Sequence, residues 1–241
     1  MSRVRETIAD KKKRLRRIVA LLRRMYPHAD CALTHKKAWQ LLISTILSAQ
    51  STDETVNRVT AALYKKYKKP SDFLSVPEEE LQEDIHATGF FRQKTKSIRG
   101  TCRMLVDEFG GGVPDSMEDL VRLPGVARKT ANVVLGTWFG KNEGVVVDTH
   151  VGRIAERLAL TWNNKNSKDA VRIEKDLMEI VPRKEWTFFS HALIWHGRRV
   201  CDARKPDCES CKLSELCPAA FKANSAPQQR NKSSAKRVKP R

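Results

Sequence analysis

The sequence predicts an all-α protein, and three observations carry that expectation. Apolar residues recur at helical spacing along nearly the whole chain. The breaks between these stretches hold the residues that start and stop helices. The one strand-like run, Val145-Val146-Val147, is too short to seed a sheet.

The elements follow in order. Ile8, Leu15, Ile18, Val19 and Leu22 share one face of an opening helix. Trp39, Leu42, Ile43, Ile46 and Leu47 do the same in a second, and Val56, Val59, Ala62 and Leu63 in a third. Ser75 ahead of Pro77 and Glu78 reads as a helix start with a capping-box glutamate. Ile98, Cys102, Leu105, Val106 and Phe109 form an amphipathic face that Gly110-Gly111-Gly112 stops. Ser116-Met-Glu-Asp119 opens another helix, with Leu120, Val121 and Leu123 as its apolar face. Pro124-Gly125 breaks it, and from Arg128 the helical pattern resumes through Thr130, Ala131, Val133, Val134 and Leu135. Later helices are expected near 129–139, 149–159, 167–181 and 184–197.

The chain has 241 residues, enough for a substantial core in one or two domains. No apolar run reaches the ~20 residues of a membrane span; the longest, Leu41 to Leu47, contains Ser44 and Thr45. The N-terminal stretch carries Lys11-Lys12-Lys13 and Arg14 among Glu6 and Asp10, without the apolar segment of a secretory signal. The expectation is a protein kept in the cytoplasm, where thiols stay reduced and a disulfide framework is the poorer reading of the cysteines. Lys and Arg number 46 against 28 Asp and Glu, a formal charge of +18. That exceeds what solubility needs and points to a polyanion, nucleic acid first. From Phe221 to Arg241 there are seven basic residues and no acidic one; removing seven from +18 leaves +11. The composition of 221–241 predicts a disordered basic tail.

Four of the six cysteines, Cys201, Cys208, Cys211 and Cys217, fall in the pattern C-x6-C-x2-C-x5-C. Four thiolates suit a tetrahedral Zn²⁺ or an iron–sulfur cluster, and spacing leaves both open. Arg198, Arg199, Arg204, Lys205 and Lys212 surround them, which predicts phosphate contact near the same loop. Cys31 and Cys102 read as buried thiols in apolar helical settings. His150, His191 and His196 read as structural histidines, and the five tryptophans as core, with Trp138 and Trp195 able to line a cleft.

The helix–turn–helix at 116–139 offers a glycine turn whose free N–H groups can hold a phosphate without reading sequence. Lys129 falls in the first turn of the second helix, where the helix dipole disfavours a cation and so favours the free amine. It reads either as a phosphate contact or as an amine nucleophile. A phosphate contact would survive Lys129→Arg; a nucleophile would not. Asp148 precedes a new helix at Thr149. It reads as an N-cap, and equally as a carboxylate able to assist the lysine or support a cationic sugar; the roles are compatible.

These residues resemble the endonuclease III family of DNA glycosylases, within the helix–hairpin–helix glycosylase superfamily. Leu123-Pro-Gly-Val-Ala-Arg-Lys-Thr-Ala-Asn-Val-Val134 resembles the family's hairpin and catalytic lysine, and Val147-Asp-Thr-His150 its catalytic aspartate segment. The four cysteines have its iron–sulfur spacing. Leu47-Ser-Ala-Gln50, followed by Thr52-Asp53, resembles the segment whose glutamine fills the gap left by an extruded nucleotide. Gly89-Phe-Phe-Arg92 resembles the loop that wedges an apolar side chain into the stack. The likeness spans roughly residues 1–220.

The resemblance implies a six-helix domain with the helix–hairpin–helix motif at 31–142 and a [4Fe–4S] cluster domain at 1–30 plus 143–220, with the DNA cleft between them. It implies a bifunctional glycosylase and abasic-site lyase acting on oxidised pyrimidines in double-stranded DNA. Lys129 would attack the sugar, Asp148 would assist, and β-elimination through a Schiff base would cut the strand. Gln50, Asp53, Phe90, Leu123, Gly125, Ala127 and Arg128 would meet the DNA, and the four cysteines would hold the cluster. The protein would act as a monomer, associated with the nucleoid. Adenine-mismatch relatives usually lack this lysine and carry a further C-terminal domain, whereas only 24 residues follow Cys217. The alternatives are a mismatch-type glycosylase on the same scaffold and a non-catalytic, structure-specific DNA-binding protein. One departure stands out: Ala127 replaces the hairpin's usual second glycine. If that position has positive φ, alanine costs about 1 kcal/mol, and its Cβ would crowd a phosphate.

Overall fold

The computed structural model describes residues 6–162 and 169–222. Among these residues the fold is all-helical, with ten α-helices, four short 3-10 turns and no strand. The α-helices are α1 (Ile8–Met25), α2 (Ala38–Leu47), α3 (Asp53–Lys66), α4 (Glu78–Ile85), α5 (Phe91–Phe109), α6 (Met117–Arg122), α7 (Arg128–Thr137), α8 (Thr149–Arg157), α9 (Ala170–Ile180) and α10 (Trp186–Arg199).

Local chemistry sets many of these starts. The side chains of Thr7, Thr52, Ser116, Asp148 and Asp169 each accept a backbone N–H three residues on, capping α1, α3, α6, α8 and α9. Gly110, at φ 59°, ends α5 in the left-handed conformation. The capping box expected at Ser75 does not form. α4 begins at Glu78 with Pro77 as its uncapped N-cap, and the Ser75 hydroxyl donates to the carbonyl of Asp72 instead. The helix starts beyond Ser75, which leaves its hydroxyl out of the N-cap position and closing the preceding turn. Two apolar assignments also miss. Ile8 lies 47% exposed and Val121 44% exposed, because each sits where its helix has no neighbour to cover it.

The helices build two apolar cores. The first is formed by α2 to α7, with Trp39, Leu42, Leu63, Phe73, Ile98 and Leu135 among its buried members. Tyr67 stacks on Phe73 at 4.4 Å, and Trp39 meets Phe73 edge-on at 6.0 Å. The second joins α1 to α8, α9 and α10, through Leu15, Ile18, Ile154, Leu177, Phe189 and Leu193. Residues distant in sequence meet here.

The Val145–Val147 run crosses between the cores. Val146 is buried in the first, Val145 and Val147 in the second. An extended run alternates its side chains, so one short segment anchors in both. Glu174 of α9 adds a polar tie: its Oε1 accepts from Arg128 Nε at 3.1 Å and from Asn132 Nδ2 at 2.9 Å, both on α7. The expected tail, from 223 onward, lies outside the described residues, as do 163–168. No helix is long and apolar enough to cross a membrane among the described residues.

Candidate active site

The turn between α6 and α7 follows from its sequence. Val126 N donates to Leu123 O at 3.0 Å, with Pro124 and Gly125 between them and Gly125 at φ 79°. Proline then left-handed glycine is the type II arrangement. Glycine is required at 125 for a second reason: a Cβ there would sit 2.7 Å from Ser97 Cβ of α5. Thr101 Oγ1, also on α5, donates to Pro124 O at 2.8 Å and pins the turn.

Ala127 is the N-cap of α7, at φ −86° and ψ 168°. It does not need positive φ, so the expected strain is absent. It provides no side-chain cap either. The first turn of α7 therefore keeps backbone N–H donors without a capping partner, at the positive end of the helix. Leu123 is 2% exposed, so only its backbone can face a ligand. The Arg128 side chain turns away to Glu174 and to Glu143 O, at 3.2 Å.

Lys129, in that exposed first turn, and Asp148, the N-cap of α8, line one cleft of about 270 Å³. Two helix starts from different parts of the chain thus meet at one place. Asp148 Oδ1 accepts from Val151 N at 2.8 Å. Its other oxygen makes no hydrogen bond within the described residues. Both readings of this residue are structurally compatible. His191 also lines the cleft; burial holds its imidazole below the ordinary range, with Asp30 and Asp148 pulling the other way. Its Nε2 is 3.2 Å from Thr137 Oγ1.

Gln50 and Asp53 line the same cleft. Gln50 stands in the left-handed region at φ 54°, and Asp53 pairs with Arg198 of α10 at 2.6 Å across the opening. Trp195 lines the cleft too, whereas Trp138 packs edge-on against His35 outside it. Phe90 sits apart from these. It is the N-cap of α5, 65% exposed, at φ 49°. A bulky residue in that conformation is an outlier and stores strain. Gln50, Phe90 and Gly125 share a second depression of about 330 Å³ with Lys94.

The four cysteines of the C-x6-C-x2-C-x5-C pattern line one cavity of about 30 Å³, floored by Ile154, Leu158 and Leu213. They ring this space rather than converge: among the described residues no three Cys, His, Asp or Glu come close enough to hold a single metal ion. Arg157 Nη1 donates to Cys201 Sγ at 3.1 Å, and His196 Nε2 lies 3.5 Å from Cys211 Sγ. His196 is held in turn by Tyr26 Oη, 3.0 Å from its Nδ1. Four cysteine sulfurs around one space are the kind of donor set an iron–sulfur cluster takes.

Three features escaped the sequence reading. Cys31 is not helical; it lies in a loop and lines the cleft, its thiol pushed up to about 11 by burial. Lys94 is 4% exposed, its ammonium held by two carbonyls. Glu174 links α9 to the hairpin helix. None has a local sequence signal, because each depends on a contact that only folding makes, such as Lys94 with Leu47 O, 47 residues away.

Residues 43–183 match the family model described as HhH-GPD superfamily base excision DNA repair protein. The chain is 50% identical to an endonuclease III of Synechocystis sp. over 220 residues, covering 91% of this chain and 99% of that one. It is 47% identical to an endonuclease III of Bacillus subtilis, over 80% and 86% of the two chains. A non-covalent endonuclease III–DNA complex superposes with a TM-score of 0.82 at 41% identity, covering 89% of this chain and 99% of that one. A trapped endonuclease III–DNA covalent intermediate gives 0.81 at 42% identity, over 88% and 97%. A thermostable thymine-DNA glycosylase gives 0.74 at 25%, over 89% and 98%.

Proposed function

Given that this chain belongs to the HhH-GPD superfamily, as a base excision repair DNA glycosylase of the endonuclease III family, we propose that Lys129 is its nucleophile and Asp148 the carboxylate that assists it. The observation that carries this reading is the shared cleft: an exposed amine at one helix start faces the same space as a half-spent carboxylate at another. DNA binds across it. The relative trapped covalently on DNA supports attack by a protein group.

The substrate class is an oxidised pyrimidine in duplex DNA. C1′ is poorly accessible inside the stack, so the nucleotide is extruded into the cleft. The uncharged Lys129 amine forms a bond to C1′ as the glycosidic bond breaks, and the base leaves with that electron pair and takes a proton. Asp148 supports the positive charge that develops on the sugar and receives the proton the amine gives up. The C1′–O4′ bond then breaks as the nitrogen lone pair forms the Schiff base, and O4′ takes a proton and stays on C4′ as a hydroxyl; removal of a C2′ proton then expels the 3′ phosphate. Gln50 and Phe90 fill the emptied stack. Gly125, the backbone of Leu123 and the N–H groups after Ala127 hold a phosphate. Asp53 and Arg128 act less directly, through Arg198 and Glu174.

The chain divides as 31–142 and 1–30 with 143–220, the second bearing a [4Fe–4S] cluster on Cys201, Cys208, Cys211 and Cys217. When bound, the cluster supplies a rigid cross-link that sets the loop's basic residues against DNA. The protein acts as a monomer in the cytoplasm, associated with the nucleoid.

Borohydride trapping tests the nucleophile. Wild-type protein with an oxidised-pyrimidine duplex should give a covalent adduct. Lys129→Ala should give none, with strand cutting down by roughly 10⁴-fold or more. Lys129→Arg should behave like alanine; retained cutting would make the lysine a phosphate contact. Nicking of thymine glycol, uracil and mismatched duplexes separates the oxidised-pyrimidine reading from a mismatch-type one.

A further inference from the structure

We propose that Lys94 is a positioning residue for nucleotide extrusion: its ammonium clamps together the loop carrying Gln50 and the loop carrying Phe90. The inference rests on the reading that these two side chains fill the emptied stack.

Lys94 lies one turn into α5 and is 4% exposed. Its Nζ donates to Leu47 O at 2.7 Å and to Thr88 O at 2.8 Å. Leu47 is the last residue of α2, three before Gln50; Thr88 closes a 3-10 turn, two before Phe90. One cation thus satisfies the carbonyl ends from which both loops depart. It makes no ion pair with a carboxylate among the described residues. Burying an ammonium without a carboxylate partner is costly in general, and burial here lowers its pKa. A methionine would fill the volume without that cost.

What the cation does that an apolar residue cannot is bridge two strained turns. Gln50 and Phe90 both hold left-handed backbones, at φ 54° and 49°. Such conformations persist only where their surroundings over-determine them. The ammonium binds the residues just upstream of each and opens onto the depression that both side chains line. A plain helix C-cap would account for the Leu47 bond alone; the Thr88 bond ties a second, separate segment.

The test uses the full-length, cluster-bearing protein and a duplex with 2-aminopurine beside a stable abasic analogue. Fluorescence reports the opened stack, and single-turnover cutting is measured on duplex and single-stranded abasic DNA. Lys94→Met should weaken opening and duplex cutting by roughly tenfold, with a far smaller deficit on single strands, where no stack needs filling. Lys94→Arg, which keeps the charge and several donors, should recover most of the loss. Equal deficits on both substrates would make Lys94 merely structural and overturn the proposal. If Lys94→Met melts below the assay temperature, Lys94→Gln, which keeps a polar end but loses the charge and a donor, decides with Lys94→Arg: a deficit in Lys94→Gln confined to duplex and relieved in Lys94→Arg supports the clamp, and an equal deficit on both substrates or none at all defeats it. Gln50→Ala and Phe90→Ala serve as controls. If neither alters opening, the gap-filling reading itself fails; if both do and Lys94→Met does not, only the clamp fails.

Discussion

The two apolar cores are closed in different ways. The first closes on its own side chains. Its aromatics stack, and Cys102 at 0% exposure is simply packing, its thiol pushed up to about 12 by burial. The second core has an edge made of Cys201, Cys211 and Cys217, only partly buried against it. Beyond α10 the described chain has just one 3-10 turn, Ser214–Leu216. Leu213 and Leu216 anchor this segment in the core, and Arg14, Arg153 and Arg157 hold its carbonyls, but it has little regular structure of its own, so a centre at the sulfurs would add to what holds it. The lesson is that one kind of residue does opposite work in the two halves. Cys102 contributes volume, whereas the four clustered thiols line the cavity proposed above as the cluster's junction.

Breaking that junction should give the largest effect. Cys208→Ser, or removal of iron, is expected to release the segment after α10 and to destabilise the second half by several kcal/mol. Hydrogen exchange would then rise across 200–222 while α5 stays protected. Uniform loss of protection would mean that the cores are not separately sustained. Next comes the tie between the halves. Glu174→Ala strands Asn132 Nδ2 and frees Arg128, and should cost about 2 kcal/mol by thermal melting. A change within measurement error would show that the tie contributes orientation only. The smallest effect belongs to Ala127→Gly, which relieves no backbone strain. It should alter stability by only a few tenths of a kcal/mol and leave DNA affinity unchanged in a titration. A clear gain in affinity would show that the methyl crowds the phosphate.

Much of this was legible because it is local. Ser116 and Asp148 cap the helices they were expected to start, since capping acts over three residues. The hairpin, the lysine and the four thiols are contiguous patterns. What stayed hidden depends on contacts across the chain. Lys94 looks like an ordinary surface lysine in an amphipathic stretch; only folding brings Leu47 O within 2.7 Å. The pairing of Arg128 with Glu174 of α9 is equally invisible, because the two lie 46 residues apart. Ser75 failed for a different reason: the helix boundary falls at Pro77, two residues beyond it, and element ends are the least legible part of a sequence.

The alternation at Val145–Val147 carries a mechanical consequence. Three successive side chains are gripped from opposite directions just before Asp148, so this joint resists swivelling. A bound duplex therefore meets a stiff anvil, and the work of bending falls on the nucleic acid. Lesions beside soft pyrimidine–purine steps would then be opened with less effort than the same lesions in a stiff A-tract, a preference set by DNA compliance without any base being read.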